Sequence, residues 1–189
     1  LLPIHILWIN LVTDSLPAIA LGLEPAEKDI MNRKPVNSRK GLFADGLWSK
    51  IITEGILIGA LTLVAFSIGN KWYGLEVGRT MAFVAIGVLE LVHSFNIKSD
   101  KSIFKVGILE NKFLLGSFIL GVFVQTIVVI IPMLANIFKL VPLNFIQWGI
   151  TLLISIIPIP VIELQKKINA SRLENVIDNG TGILSKSRG

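Results

Sequence analysis

One short run of polar residues constrains this chain more than any other feature. The run reads NLVTDSLP at positions 10–17, within a stretch of residues 1–23 that is otherwise apolar. On an α-helix Asn10, Thr13 and Asp14 stand at positions i, i+3 and i+4, so we expect their side-chain oxygens to share one face. An ionisable group is costly at bilayer depth. If this stretch crosses a membrane, the polar face therefore predicts a functional site that faces the interior of a helical bundle.

Pro17 follows Asp14 by three residues and marks an irregularity in the same helix. Because proline lacks a backbone N–H and clashes with the carbonyl of residue 13, we expect it to disrupt a helical hydrogen bond at the polar residues themselves. Three oxygen donors beside a disrupted turn are typical of part of a cation site. Oxygen ligands suit Ca²⁺, Mn²⁺, Na⁺ or H⁺ better than Zn²⁺ or Cu⁺.

The composition indicates a membrane protein rather than a soluble core helix with one polar spot. Hydrophobic residues make up 52% of the chain, charged residues only 16%, and the mean hydropathy is +0.71. The apolar residues come in blocks of about 20, the length that spans roughly 30 Å of hydrocarbon. The chain has no cysteine, which excludes disulfides and thiolate metal sites. Its basic residues lie between the apolar blocks, so we expect no nucleic-acid partner.

Five apolar segments predict an all-α fold, a polytopic transmembrane helical bundle that is a fragment of a larger membrane protein. The predicted spans cover about residues 3–23, 47–68, 81–95, 113–137 and 145–164. They define a transmembrane domain of residues 1–168, followed by a polar tail of residues 169–189. We expect the chain to be a piece of something longer, because it begins without methionine inside an apolar run.

Lysine and arginine residues predict how such a bundle is oriented. In a serpentine of five spans, fifteen of the 18 basic residues lie on one side, in the first and third connections and the tail. Only Lys71, Arg79 and Lys139 lie on the other side. The excess of basic residues on the cytoplasmic side of membrane proteins therefore predicts cytoplasmic basic loops and a cytoplasmic C-terminus. Binding of these loops to anionic lipid is a secondary possibility.

The third segment carries a second candidate carboxylate, Glu90. A lone glutamate in a span can be a structural hydrogen-bonding residue, but beside Asp14 it favours a shared cation or proton site. Two neighbouring carboxylates also make counter-binding of protons feasible. His93 lies three residues further on; it could assist, and we interpret it as a hydrogen-bonded interfacial histidine. We interpret His5 as interfacial too, and Gln125 as a residue that makes interhelical hydrogen bonds.

Residues 3–22, PIHILWINLVTDSLPAIALG, resemble the sixth transmembrane helix of P-type cation-transporting ATPases, in particular the calcium pumps and their bacterial relatives. The following EPAEKDIM at 24–31 and RKP at 33–35 resemble the cytosolic loop after that helix. The match is dense over about the first 45 residues, and beyond them it rests on topology and on Glu90. Helices six to ten of the family would account for the five predicted spans, so residues 1–168 would be the C-terminal transmembrane domain of such a pump.

The resemblance implies roles for individual residues. Asn10, Thr13 and Asp14 would be the sixth-helix cation ligands, and Glu90 would be the eighth-helix carboxylate of the pumps that have two calcium sites. Ser15 stands where calcium pumps of the animal reticulum type have glycine, so we expect site geometry and ion choice to depend on it. No catalytic residue is expected in this chain, since the phosphorylated aspartate motif, the nucleotide domain and the actuator domain have no counterpart in its sequence.

The resemblance therefore predicts the membrane domain of an ATP-driven cation pump that exports Ca²⁺ across the plasma membrane of a bacterium. Mg²⁺ and ATP would be used only by the missing part of the parent, and the partners would be the remaining domains of that pump, membrane lipid and the transported cation. An alternative is part of a secondary ion or proton transporter or channel, in which Asp14 and Glu90 relay H⁺ or Na⁺. A purely structural scaffold is disfavoured by the two carboxylates. An Asp-Lys-Thr-Gly-Thr motif upstream of Leu1 would decide for the pump.

Overall fold

The computed structural model describes residues 1–23, 31, 47–98, 111–168 and 171. The regular elements of that part are helices: α1 Pro3–Trp8, a π-helical segment Ile9–Asp14, α2 Ser15–Gly22, α3 Leu47–Tyr73, α4 Leu75–Ile97, α5 Lys112–Ile130, α6 Pro132–Ile137 and α7 Phe145–Ile156. After a turn at residue 157 the last span continues as helix over residues 158–168. The loop that resembles the pumps' cytosolic loop lies outside the described residues except for residue 31. Most of the basic connections and the predicted tail, apart from residue 171, also lie outside them.

Five helices in the described part are long and apolar enough to cross a membrane, which confirms the predicted all-α bundle. They are Pro3–Gly22, Leu47–Tyr73, Leu75–Ile97, Lys112–Ile130 and Phe145–Ile168. The fourth ends earlier than predicted, because Ile131 is extended and Pro132 begins a separate short helix. Proline is tolerated in the first turn of a helix, where its missing N–H breaks no helical hydrogen bond.

Helix α4 lies at the centre of the bundle. In the apolar stretch of α4, 78% of the residues are buried inside the protein, against 22–33% in the other four spans. It begins six residues before the predicted segment, at Leu75, and packs against α3, α5, α7 and the π-helical segment. It is less hydropathic than α3, α5 and the last span, and its position explains why. A helix surrounded by protein needs less apolar side-chain surface than a helix that faces lipid.

Helices α3 and α4 form a close hairpin around three glycines. Gly74 joins them with φ +96°, a backbone conformation that glycine adopts without strain. Below this turn the two backbones nearly touch: a Cβ atom added at Gly69 would lie 2.6 Å from the Cα of Gly78. A Cβ atom added at Gly78 would in turn lie 2.8 Å from the carbonyl oxygen of Phe66. Small residues at this crossing therefore allow α3 to pack directly on the central helix.

Candidate cation site

The polar run predicted to hold a cation lies on a π-helical segment, Ile9–Asp14, that joins α1 to α2. A π-helix has wider turns than an α-helix, is rare, and occurs frequently at functional sites. The Ser15 hydroxyl donates a hydrogen bond of 2.9 Å to the carbonyl oxygen of Asn10, five residues earlier. Pro17 lies in the first turn of α2. The irregularity expected at the polar residues is therefore a widened helix rather than an unwound one.

Thr13 joins this segment to Glu90 of the central helix. The Thr13 side chain is buried, and its hydroxyl oxygen lies 3.0 Å from Glu90 Oε2 and 2.9 Å from the carbonyl oxygen of Ile9. The hydroxyl can donate to an ionised Glu90. If Glu90 carries a proton, the carboxyl can donate to the threonine oxygen while the hydroxyl donates to Ile9. This hydrogen-bonding arrangement accommodates Glu90 both with and without its proton.

Asp14 is the second carboxylate in this region, and it lies close enough to Glu90 for the two charges to interact. Asp14 and Asn10 are otherwise exposed, whereas Thr13 is buried against α4. The three oxygens predicted to share one face are thus divided between the packed and the open side of the first span. The physical reason is the π-helical turn, which rotates residues i+3 and i+4 differently from the α-helix that the prediction assumed.

The site therefore brings a hydroxyl and two carboxylates from two helices close together, and the Asn10 amide lies about one turn away on the open side of the first span. Two neighbouring carboxylates repel each other when both are ionised, and a cation or a proton between them relieves that repulsion. Oxygen ligands of this kind suit Ca²⁺, which takes six to eight of them. Among the described residues no group of three or more His, Cys, Asp or Glu side chains could hold a metal ion.

A second polar pair, which the sequence analysis did not single out, lies between α3 and α4. Glu54 is 6% exposed, and its Oε2 lies 3.3 Å from Nε2 of His93. His93 thus contacts α3, and its side chain is 15% exposed. The sequence indicated that such a residue has a partner, because an ionisable residue inside a span usually pairs with another polar group. Helical periodicity could not identify that partner, because the two residues are 39 positions apart in the chain.

His5 is fully buried, and it anchors the N-terminal end of the first span. The Leu2 N–H donates to Nδ1 over 3.1 Å, so Nε2 carries the hydrogen of the neutral ring and donates to the Phe138 carbonyl oxygen over 2.6 Å. The ring is fully buried and packs on the side chain of Phe83, with 4.9 Å between ring centroids. This contact fixes α1 to the connection between α6 and α7.

Gln125 makes the interhelical hydrogen bonds predicted for it. The Trp8 indole N–H donates to Gln125 Oε1 over 2.8 Å, and Gln125 Nε2 donates to the carbonyl oxygen of Phe83 over 2.9 Å. Its side chain is 1% exposed. Gln125 of α5 therefore joins the first span, immediately before the π-helical segment, to the central helix that carries Glu90.

The fold and the site together define a polytopic membrane protein in which carboxylates from two helices lie close together. Comparison with known proteins identifies the family within this class. Residues 1–168 match the family model described as "Cation transporting ATPase, C-terminus". The chain belongs to this family, and it corresponds to the C-terminal membrane region of P-type cation-transporting ATPases.

Several curated relatives show the same relationship. The chain is 44% identical over 182 residues to Calcium-transporting ATPase 1 of Bacillus cereus, covering 87% of the chain and 20% of the relative. It is 37% identical over 160 residues to a calcium-transporting ATPase of Bacillus subtilis, covering 84% of the chain and 18% of the relative. A calcium ATPase of the endoplasmic reticulum of Aspergillus fumigatus is 26% identical over 199 residues. The chain spans about a fifth of the length of the bacterial relatives.

Proposed function

We propose that this chain is the C-terminal membrane domain of an ATP-driven calcium pump and that Asn10, Thr13, Asp14 and Glu90 supply oxygen ligands to its transported ion. One observation carries the proposal: Thr13 of the first span hydrogen-bonds to Glu90 of the central helix, although 77 positions separate the two residues. Asp14, the next residue, lies close enough for its charge to act on Glu90. Residues of these types in contact inside a bundle are suited to a hard cation.

The exposed polar side chains support a site that is shared with the rest of the protein. Asn10 and Asp14 lie on the open side of the first span, where further helices can add oxygens to the two carboxylates. The relatives in Bacillus cereus and Bacillus subtilis are calcium-transporting ATPases about five times as long as the matched region. We infer that the remaining domains of the same pump complete the site, bind ATP and Mg²⁺, and carry the phosphorylated residue.

The transport cycle that we propose follows from these contacts. Ca²⁺ binds between Asp14 and Glu90 from the cytoplasm, and phosphorylation elsewhere in the protein opens the site to the outside. Protons then return on the emptied carboxylates, which removes the repulsion between two neighbouring ionised groups. Thr13 supports both states, because its hydroxyl can hydrogen-bond to Glu90 with or without the proton.

We further propose that the pump lies in the plasma membrane of a bacterium, with its basic connections and C-terminus in the cytoplasm. This orientation is supported by the distribution of fifteen and three basic residues on the two sides of the bundle. It places the start of the first span, with His5, at the outer side. The membrane lipid then contacts the exposed apolar faces of α3, α5 and the last span.

Transport by the full-length protein tests the proposed function. Inverted membrane vesicles from bacteria that produce it should accumulate ⁴⁵Ca²⁺ when ATP is added, and a protonophore should leave this uptake intact. Uptake that requires a proton gradient and no ATP would instead favour the secondary transporter. Competition by Mn²⁺ and Na⁺ in the same vesicles measures ion choice, and vesicles without the protein provide the background.

The isolated fragment should bind calcium weakly or not at all. Calcium takes six to eight oxygen ligands, and the described residues offer two carboxylates with one hydroxyl and one amide nearby. Isothermal titration of the purified 189-residue chain in detergent measures this directly. Micromolar binding would show that the fragment holds a complete site, and it would contradict the proposal that the remaining helices supply ligands.

A further inference from the structure

We propose that Gln125 is a positioning residue that sets the axial register of the first span against the central helix α4. By setting this register it keeps Thr13 and Asp14 at the level of Glu90. The side chain of Gln125 bridges the two helices without touching any of the proposed ligands. The consequence for ion binding rests on the proposed function, whereas the structural role of Gln125 does not.

The two ends of the Gln125 amide fix two specific points. Its oxygen accepts from the indole of Trp8, which directly precedes the π-helical segment, and its nitrogen donates to the Phe83 carbonyl. Phe83 lies seven residues before Glu90, which is two helical turns or about 10 Å along α4. The first span and α4 are thus joined at two levels, by Trp8–Gln125–Phe83 and by Thr13–Glu90. A helix attached at two levels can neither slide nor rotate without breaking one of them.

The site for the amide is built into α4. A Cβ atom added at Gly87 would lie 2.7 Å from Gln125 Nε2 and 2.9 Å from its Cδ. Gly87 stands between Phe83 and Glu90, four residues after the first and three before the second, so it is on the same helical face. Gln125 itself is almost completely buried, and its loss would leave the N–H of the half-buried Trp8 without this acceptor.

Thiol cross-linking provides a readout of register that is independent of transport. The Thr13 hydroxyl and the Glu90 carboxylate lie 3.0 Å apart, so Thr13→Cys and Glu90→Cys can be introduced as a pair into a full-length protein from which any cysteine outside this cysteine-free chain has been removed. Because cysteine is two bonds shorter than glutamate, a short bifunctional thiol reagent replaces direct disulfide formation, and in membranes it should cross-link this pair. Adding Gln125→Met, which keeps the length of the side chain but removes the amide, should lower the cross-linked fraction about 3- to 10-fold, as expected for the loss of buried hydrogen bonds.

Thr126→Val is the matched control, because the Thr126 hydroxyl bonds only to the Val122 carbonyl of its own helix. It should leave cross-linking unchanged. Trp8→Phe, which removes the indole N–H, and Gly87→Ala, which displaces the amide from the other side, should reproduce the effect of Gln125→Met. If Gln125→Met prevents accumulation of the protein, the proposal is tested with Trp8→Phe and Gly87→Ala.

In the full-length protein with its natural Thr13 and Glu90, Gln125→Met and Trp8→Phe should each weaken the apparent calcium affinity of ATP-dependent uptake by a similar factor. The double variant should be no weaker than either single one, since both remove the same interaction. Undiminished cross-linking in Gln125→Met or in Trp8→Phe overturns the positioning role. Reduced cross-linking in a protein that shows no ATP-driven calcium uptake supports the positioning role and refutes the proposed function alone.

Discussion

In the full-length protein, Asp14→Asn is expected to abolish the calcium dependence of phosphorylation by ATP. Asparagine keeps the size of the side chain and one oxygen, but it removes one of the two neighbouring carboxylates at the site. Loss of a supporting hydrogen-bond partner around a metal commonly costs 10- to 100-fold in affinity, so loss of a charged ligand should cost about 100-fold or more. The measurement is phosphoenzyme formed from labelled ATP over a range of calcium concentrations.

The matched control is Glu76→Gln, which removes a carboxylate from the exposed first turn of the same helix that carries Glu90. This variant should be phosphorylated with the calcium dependence of the natural protein. Phosphorylation of Asp14→Asn by inorganic phosphate without calcium should persist if the variant is folded. Calcium dependence that Asp14→Asn leaves unchanged would remove Asp14 from the site and with it the main support for the proposed ligand set.

Gly78→Val is expected to prevent the bundle from folding. Even a single Cβ atom at this position would approach the backbone N of Asn70 to 2.7 Å and the Phe66 carbonyl to 2.8 Å. Backbone atoms cannot move aside as a flexible side chain can, so α3 would have to separate from α4. We expect destabilisation of about 3 kcal/mol or more, at the upper end of the range for overpacked sites. Fluorescence-detected size-exclusion chromatography of the full-length protein would measure the loss of the monodisperse peak.

Gly59→Val in α3 controls for the lower helix propensity of a β-branched residue. Gly59 has no atom within 4 Å of an added Cβ, and it lies ten residues from the close crossing at Gly69. This variant should give a nearly normal peak. A normal peak from Gly78→Val would mean that α3 and α4 do not pack backbone against backbone, and the central position of α4 would need another explanation.

Much of this architecture could be predicted because it depends on local properties of the sequence. Length and hydropathy located the five spans, and the cost of ionisable groups in a membrane singled out Asp14 and Glu90. The resemblance of residues 3–22 to a pump helix was confirmed by the family match over residues 1–168. The prediction that the first span is irregular at its polar residues also agrees with the π-helical segment.

What could not be predicted depends on contacts between distant residues. The pairing of Glu54 with His93 and the burial of His5 against Phe138 require the helices to be placed, and helical periodicity indicates a face but not its partner. The central position of α4 could not be read from its hydropathy, because hydropathy measures suitability for lipid, whereas α4 is surrounded mainly by protein. The division of Asn10, Thr13 and Asp14 between two sides follows from π-helical turns, which the spacing of three residues does not reveal.

The length of α3 also matters for the lipid around this domain. At 27 residues the helix is about 40 Å long, whereas the hydrocarbon core of a bilayer is about 30 Å thick. Such a helix must tilt or extend into the headgroup region, and the tilt depends on the thickness of the bilayer. Because α3 contacts α4 backbone to backbone at Gly69 and Gly78, α3 cannot change its tilt at this crossing without moving α4 as well.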